Sequence, residues 1–254
     1  MSLDTSEAPP PPRKRVQGGK ATSEVVLSAH AGGNAELFRR ILELHVPPGA
    51  LIADVTYGQG VFWRLVPEGR YRLLKSDLAT GTDCRDLPYA DAALDALVLD
   101  PPYMEGLLRE KAETRGGQGS HAGLRGWYAA GGEGKAPGGG RWHQAVLDLY
   151  LEAGREARRV LRDHGLLLVK CQDEVSANRQ ELTHVQIVVG LEAIGFYTRD
   201  LFVLVRSNRP AVARLKRQVH ARKNHSYFLV FQKVPAGQTV ARYRTRDLPP
   251  PATG

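Results

Sequence analysis

Cysteine is scarce in this 254-residue chain, and long apolar runs are missing altogether. The two cysteines, Cys84 and Cys171, stand at no spacing from other ligand-type residues that would hold zinc. They read as free thiols of a reducing compartment, the cytoplasm, and not as a disulfide framework. No run approaches the ~18 apolar residues that a membrane-spanning helix needs, so no membrane span is expected. The start, MSLDTSEAPPPPRKR, is acidic and then proline-rich without an apolar segment, so a secretory signal is not expected there. Internal repeats are also missing.

What is present is an ordinary globular share of apolar residues, 42%, and a net charge of +8. That length and composition suit one α/β domain with a sizeable core. A basic balance favours a polyanionic partner, because each Lys or Arg on a phosphate releases condensed counterions. Residues 1–20 have the composition of a disordered basic and proline-rich arm, 21–235 of a folded domain, and 236–254 of a tail.

Hydrophobic periodicity divides the domain. From Asn34, AELFRRILELHV sets Leu37, Ile41, Leu42 and Leu44 near one helical face, ending before Pro47, Pro48 and Gly49. ALIADV follows as a short run suited to a strand buried on both faces, then YRLLKSD and ALDALVLD (93–100). A helix is expected over 143–163 and a strand at GLLLVKCQ. A second helix over about 177–194 would be closed by Gly195. FYTRDLFVLVR and SYFLVFQKV read as two last strands, joined by a polar connection with no helix pattern, hence antiparallel. Alternating strands and helices imply a mainly parallel sheet covered on both faces. The glycine-dense stretch 104–142 resists assignment and is expected to be a functional loop or an insertion, mobile without ligand.

Two constellations carry chemistry. Asp54-Val55-Thr56-Tyr57-Gly58-Gln59-Gly60 directly follows the ALIADV strand, and glycines at a strand-to-helix turn let backbone approach a ligand closely. A tight turn would use the same glycines. The support is Asp77 after the next strand, where a carboxylate can accept from both hydroxyls of a ribose, and Asp83 beyond it, placed for an adenine amino group. Either acid alone reads as a solvated loop residue; the three together do not.

Asp100-Pro101-Pro102-Tyr103 ends LDALVLD, at the strand end where open α/β sheets bind ligands. A ring-conjugated exocyclic amine is a poor nucleophile because its lone pair is delocalised. Two acceptors aimed at its hydrogens, the Asp100 carboxylate and the Pro101 carbonyl, would favour a tetrahedral nitrogen with its lone pair free. Pro102 has a fixed φ and no N–H, which steadies that carbonyl. Tyr103 offers an aromatic face to a base taken out of the stack.

Asp100 to Tyr103 resembles the catalytic motif of the DNA amino-methyltransferases that modify adenine N6 or cytosine N4, and Asp54 to Gly60 resembles their glycine-rich cofactor motif. The resemblance covers roughly residues 28–233. It implies a three-layer, Rossmann-like fold with a mostly parallel seven-stranded sheet whose last strand is antiparallel. It implies S-adenosylmethionine as cofactor, held by Asp54, Thr56, Gly58, Gly60, Asp77 and Asp83, with His30 to Asn34 touching the methionine moiety. Thr56 departs from the family, which often has Phe there; that leaves the subgroup, and RNA enzymes, open. No segment is long enough for a separate target-recognition domain. An aspartate opening the catalytic motif is commoner among adenine enzymes, so adenine N6 is the expected target, with cytosine N4, an RNA base, or non-catalytic nucleic-acid binding as rivals. Double-stranded DNA is the expected partner; a cognate restriction enzyme and the oligomeric state stay open.

Arg214, Lys216, Arg217, Arg222 and Lys223 form a cationic run without an acid, read as phosphate contacts; a solvated charged hairpin would look the same. Arg13 to Arg15 is a basic tail, and Trp127, Tyr128 and Trp142 would serve base stacking and loop packing equally. His143 and His225 lack partners at ligand spacing and read as surface or hydrogen-bonded histidines; no metal is expected.

Overall fold

The computed structural model of the chain describes residues 25–103, 143–206 and 217–243. In chain order the elements are β1 (Ala29–Ala31), α1 (Asn34–His45), β2 (Leu51–Asp54), β3 (Arg72–Lys75) and β4 (Leu94–Leu99). There follow α2 (His143–Val160), β5 (Leu161–Cys171), β6 (Glu174–Ser176), β7 (Arg179–Glu181), α3 (Thr183–Ile194), β8 (Phe196–Val205) and β9 (His225–Lys233). Short 3-10 turns lie at Val61–Leu65, Leu78–Thr80 and Val240–Arg242.

Seven strands form one sheet in the order β1-β8-β9-β5-β4-β2-β3, and β6 pairs with β7 in a separate hairpin. Within the seven-stranded sheet β9 runs against the rest, pairing antiparallel with both β5 and β8. This is the mostly parallel α/β sheet with an antiparallel last strand that was expected. The strand that periodicity did not reveal is β1, three residues pairing in parallel with β8.

Alternation along each strand divides the core in two. Ile52, Ala96, Val98, Leu166, Leu168, Phe228 and Val230 face α1. Ala53, Leu97, Leu99, Leu167, Val169, Leu229 and Phe231 face α2 and α3. The result is three layers around a sheet buried on both sides. On α1 the buried stripe is Leu37, Phe38, Ile41, Leu42 and His45. Leu44, assigned to that face from the sequence, is 49% exposed, because it lies off a stripe recurring every three to four residues.

Helices α2 and α3 approach closely through two reciprocal notches. A Cβ on Gly154 would strike Leu191, and one on Gly190 would strike Leu151. The second helix starts later than its pattern suggests. Residues 177–182, expected to be helical, form the turn and second strand of the hairpin, with Ala177 and Asn178 both left-handed at φ 47° and 64°. Asn tolerates that region and makes the two-residue turn without a glycine. Similarly, α2 stops at Val160 and not 163, since His164 is left-handed at φ 65° and the β4–β5 register jumps from Leu94/Leu161 to Ala96/Leu166.

Beyond residue 235, Tyr243 is buried: its hydroxyl lies 2.6 Å from His164 Nδ1. Among the described residues no helix is long and apolar enough to cross a membrane.

Candidate active site at the sheet edge

Parallel pairing puts the C-terminal ends of β2, β3, β4, β5 and β8, with the N-terminal end of antiparallel β9, on one edge. Both chemical constellations lie there, and Thr56 joins them. Its hydroxyl accepts the Asp100 N–H at 2.7 Å, while its own N–H donates to Asp54 Oδ1 at 3.1 Å. The second oxygen of Asp54 accepts the Trp63 indole N–H at 2.7 Å. Trp63 was not singled out from the sequence; an indole nine residues from an acid carries no local signal.

Both glycines of the turn are left-handed, Gly58 at φ 50° and Gly60 at φ 64°. Gly60 is also roofed by Tyr57, whose hydroxyl would lie 2.5 Å from any Cβ there. Close approach and positive φ thus both require glycine. Asp77 spans the turn from the next strand: Oδ2 accepts the Gly58 N–H at 2.8 Å and Oδ1 the Ala79 N–H at 2.7 Å. Asp83 is gripped by Arg85, with Nη2 at 2.6 Å from Oδ2 and Nε at 2.9 Å from Oδ1. That guanidinium holds the Asp83 carboxyl below the usual range. Asp77 keeps a lone pair on each oxygen beyond these bonds. Arg85 also gives Asp83 Oδ1 its backbone N–H at 2.9 Å and Asp83 Oδ2 a second contact from Nε at 3.2 Å, so a ligand's donor there must displace part of that grip.

His30 lies in β1 and Asn34 opens α1, whose Phe38 packs edge-on against Trp63 at 5.2 Å between centroids. Asn34 Oδ1 is sealed from solvent without a hydrogen-bond partner, and so is His30 Nε2, although Glu36 Oε2 is 3.3 Å away. Buried polar atoms left in this way call for a partner.

Asp100 is half-buried and Pro101 buried behind it. Tyr103, the residue read as an aromatic face for a base, turns its hydroxyl inward and donates to Asp100 Oδ1 at 2.5 Å. On the α1 face of the next strand stands Lys170, 1% exposed, its Nζ 2.6 Å from Ser226 Oγ and 4.2 Å from the Phe228 ring centre. Sequence reading missed Lys170 because a lysine within GLLLVKCQ reads as a strand terminus turned to water.

The charges follow from burial. Asp54 is 2% exposed, and desolvation pushes its pKa up to about 7 against the hydrogen bonds from Trp63 and Thr56, with Asp100 adding repulsion. Desolvation likewise pushes Asp100 to about 6, opposed by the Tyr103 hydrogen bond, Lys170 and Arg206. Lys170 is pulled down to about 8 by burial, against the attraction of Asp100. The edge therefore holds one carboxylate, Asp100, that is ionised at neutral pH and a second acid, Asp54, poised there between its neutral and ionised forms.

Of the cationic run, Arg217 and Arg222 are exposed, and Lys223 donates to Gln180 Oε1 at 2.5 Å, docking the connection onto the hairpin. Arg214, Lys216 and the stretch 104–142 lie outside the described residues. His143 is buried, 2.8 Å from Glu174 Oε1 and bonded to Gln186; His225 Nε2 lies 2.9 Å from the Tyr227 hydroxyl. Among the described residues no cluster of His, Cys, Asp and Glu is arranged to hold a metal.

No family model and no curated protein matches the chain. Solved structures with a related course of the backbone include TrmN from Thermus thermophilus, at 16% identity and TM-score 0.43, over 78% of this chain and 48% of that one. The PvuII DNA methyltransferase, cytosine-N4-specific, aligns at 12% identity and TM-score 0.41 over 60% of this chain and 48% of its own. The [4+2]-cyclase SpnF aligns at 15% identity and TM-score 0.44 over 79% of this chain and 80% of that one. The chain thus spans about half the length of the first two. Likeness at this level bears on neither substrate nor reaction.

Proposed function

We propose that the chain transfers a methyl group from S-adenosylmethionine to the exocyclic amine of a base in DNA, adenine N6, with the base flipped into the sheet edge. The observation that carries this reading is Asp100, a partly desolvated carboxylate at the tip of a central strand, fastened through Thr56 to the glycine turn. An amine acceptor and a close-approach turn are thereby held in one rigid unit.

The residues present fit the cofactor. Asn34 Oδ1 offers an unclaimed acceptor for an ammonium, the Gly58–Gly60 turn gives backbone access, and ionised Asp100 favours a positive sulfonium, with Asp54 adding to this as it ionises near neutral pH. Asp77 has acceptor capacity left for ribose hydroxyls, and Asp83 would meet an adenine amine by giving up part of its pairing with Arg85. When bound, S-adenosylmethionine supplies an electrophilic methyl group.

The remaining steps belong to the chain. The Tyr103 hydroxyl yields its place on Asp100 Oδ1 to one amine hydrogen, which frees the ring to stack on the base. The Pro101 carbonyl takes the second hydrogen, held in direction by Pro102. As the amine is alkylated, one N–H proton would pass to Asp100 and from there to solvent. A pKa near 6 suits this: Asp100 is ionised at neutral pH yet basic enough to take the proton. Arg217, Arg222 and Lys223, with Arg214 and Lys216, would contact phosphates of the duplex beside the site.

The test is incubation of the purified protein with methyl-labelled cofactor and duplex DNA, single-stranded DNA or RNA, followed by nucleoside mass spectrometry. N6-methyladenine from DNA is expected. N4-methylcytosine would reassign the base, and label confined to RNA would reassign the polymer. Cofactor binding without any label transfer would overturn the reading.

A further inference from the structure

Lys170 has no part in the steps above, yet its position is costly. A lysine 1% exposed in a face lined by Phe228, Leu168 and Val230 loses nearly all its hydration, and a methionine would fill the same volume without that loss. Its surroundings account for it. β4 and β5 pair in parallel through Leu99 and Val169, so the next residues, Asp100 and Lys170, are neighbours. Both follow the even-numbered alternation of Ala96, Val98, Leu166 and Leu168, and therefore share the α1 face. On the other flank, the Lys170–Phe228 pairing to β9 brings Ser226 two residues away on the same face, where it holds Nζ at 2.6 Å. The Phe228 ring lies under the ammonium at 4.2 Å.

We propose that Lys170, clamped by Ser226 and Phe228, is a positioning residue that keeps the Asp100 carboxylate ionised and so able to accept an amine hydrogen at neutral pH. This rests on the reading of Asp100 given above. The other titratable groups that interact with Asp100 are Asp54 from β2, Cys171 from β5, whose thiol burial keeps neutral, Arg206 just past the end of β8, and Tyr103 from its own loop. Burial opposes ionisation; Arg206 and the Tyr103 hydroxyl assist it, but Tyr103 must leave when a base arrives. Lys170 and Arg206 are the charges that stay, and of the two Lys170 is the one buried and anchored beside the carboxylate, Arg206 being exposed. Its own pKa, near 8, keeps it protonated through the range in which Asp100 titrates.

The experiment compares wild type, Lys170→Met and Ser226→Ala by carboxyl carbon NMR of aspartate-labelled apo protein, beside the pH profile of kcat for methyl transfer. In Lys170→Met the Asp100 midpoint is expected to rise by about one unit or more. The acid limb of kcat should move with it, while the cofactor Kd changes little. Ser226→Ala, which keeps the charge but loosens its anchor, should give a smaller shift in the same direction. Should Lys170→Met fail to fold, the serine variant decides by the same readout. An unmoved Asp100 midpoint in a folded variant overturns the proposal, as does an equal loss of kcat at every pH. If the wild-type protein methylates no nucleic acid, the proposed function fails, whereas the NMR titration still decides the role of Lys170.

Discussion

The Thr56 hydroxyl lies 2.7 Å from the Asp100 backbone nitrogen and accepts its hydrogen, tying the glycine turn after β2 to the acidic tip of β4. The same threonine caps Asp54 through its N–H, so one residue sets the spacing between the tips of β2 and β4. Replacing Thr56 by Val keeps the shape and orphans the Asp100 N–H, a cost of about 1–3 kcal/mol. The expected outcome is a lower Tm and a fall in kcat larger than the fall in cofactor affinity, read by thermal unfolding, turnover and calorimetry.

Trp63 supplies the strongest hydrogen bond to Asp54, and that bond lowers the pKa of an acid that burial has raised to about 7. Trp63→Phe should push Asp54 further up. A protonated Asp54 no longer attracts a cationic ligand, so affinity for S-adenosylmethionine should weaken most near neutral pH and recover at higher pH. Titration calorimetry across pH 6 to 9 checks this; a pH-independent loss would assign Trp63 a packing role only.

Linkage gives Asp54 a second signature. Its folded pKa exceeds the unfolded value, so the folded state holds the proton more tightly. The stability it contributes is fully present below about pH 4 and is lost as pH rises through about 7. The Tm of Asp54→Asn minus that of wild type should therefore climb between pH 5 and 8. A difference flat with pH would mean that Asp54 is ionised throughout.

Gly154 and Gly190 let α2 and α3 meet at reciprocal notches against Leu191 and Leu151. Alanine at Gly154 drives a methyl group into the buried Leu191, a cost of about 1–3 kcal/mol in denaturant unfolding. The ~1 kcal/mol helix preference of alanine over glycine partly offsets that cost. At Gly190 the struck Leu151 is only partly buried and can swing aside, so the net loss should be smaller. The double variant should lose less than the sum, because both notches belong to the same helix–helix seam. Cofactor affinity per folded molecule should hold.

If the run from Arg214 to Lys223 meets phosphates, removing Arg217 and Arg222 together should weaken DNA binding alike for every sequence. The slope of log K against log salt should shrink by about 0.9 for each phosphate no longer neutralised. Unchanged affinity and slope would leave the run as a solvated connection.

The layers of the fold were legible because buried strands such as ALIADV and LDALVLD are short apolar runs and the helices between them carry a 3.6 period. β1 was not, since three residues, Ala29 to Ala31, are too few for a period and gain their place by pairing with β8. The β6–β7 turn was hidden because Ala177 and Asn178 take left-handed angles without the glycine that announces them. At the site, Asp54, Asp77, Asp83 and Asp100 stood out as acids at strand ends. Trp63 and Lys170 did not, because what gives them a role is a partner on another strand or across a turn. Tyr103 was legible as an aromatic but not in its inward pose, which depends on the Asp100 carboxylate.

The most direct measurement replaces Asp100 with Ala and follows methyl transfer to DNA together with cofactor binding. Turnover should fall by at least about 10²-fold while calorimetry still finds S-adenosylmethionine bound. Near-normal transfer by that variant would contradict the account, because among the described residues nothing else at the β4 tip offers a carboxylate to an amine hydrogen.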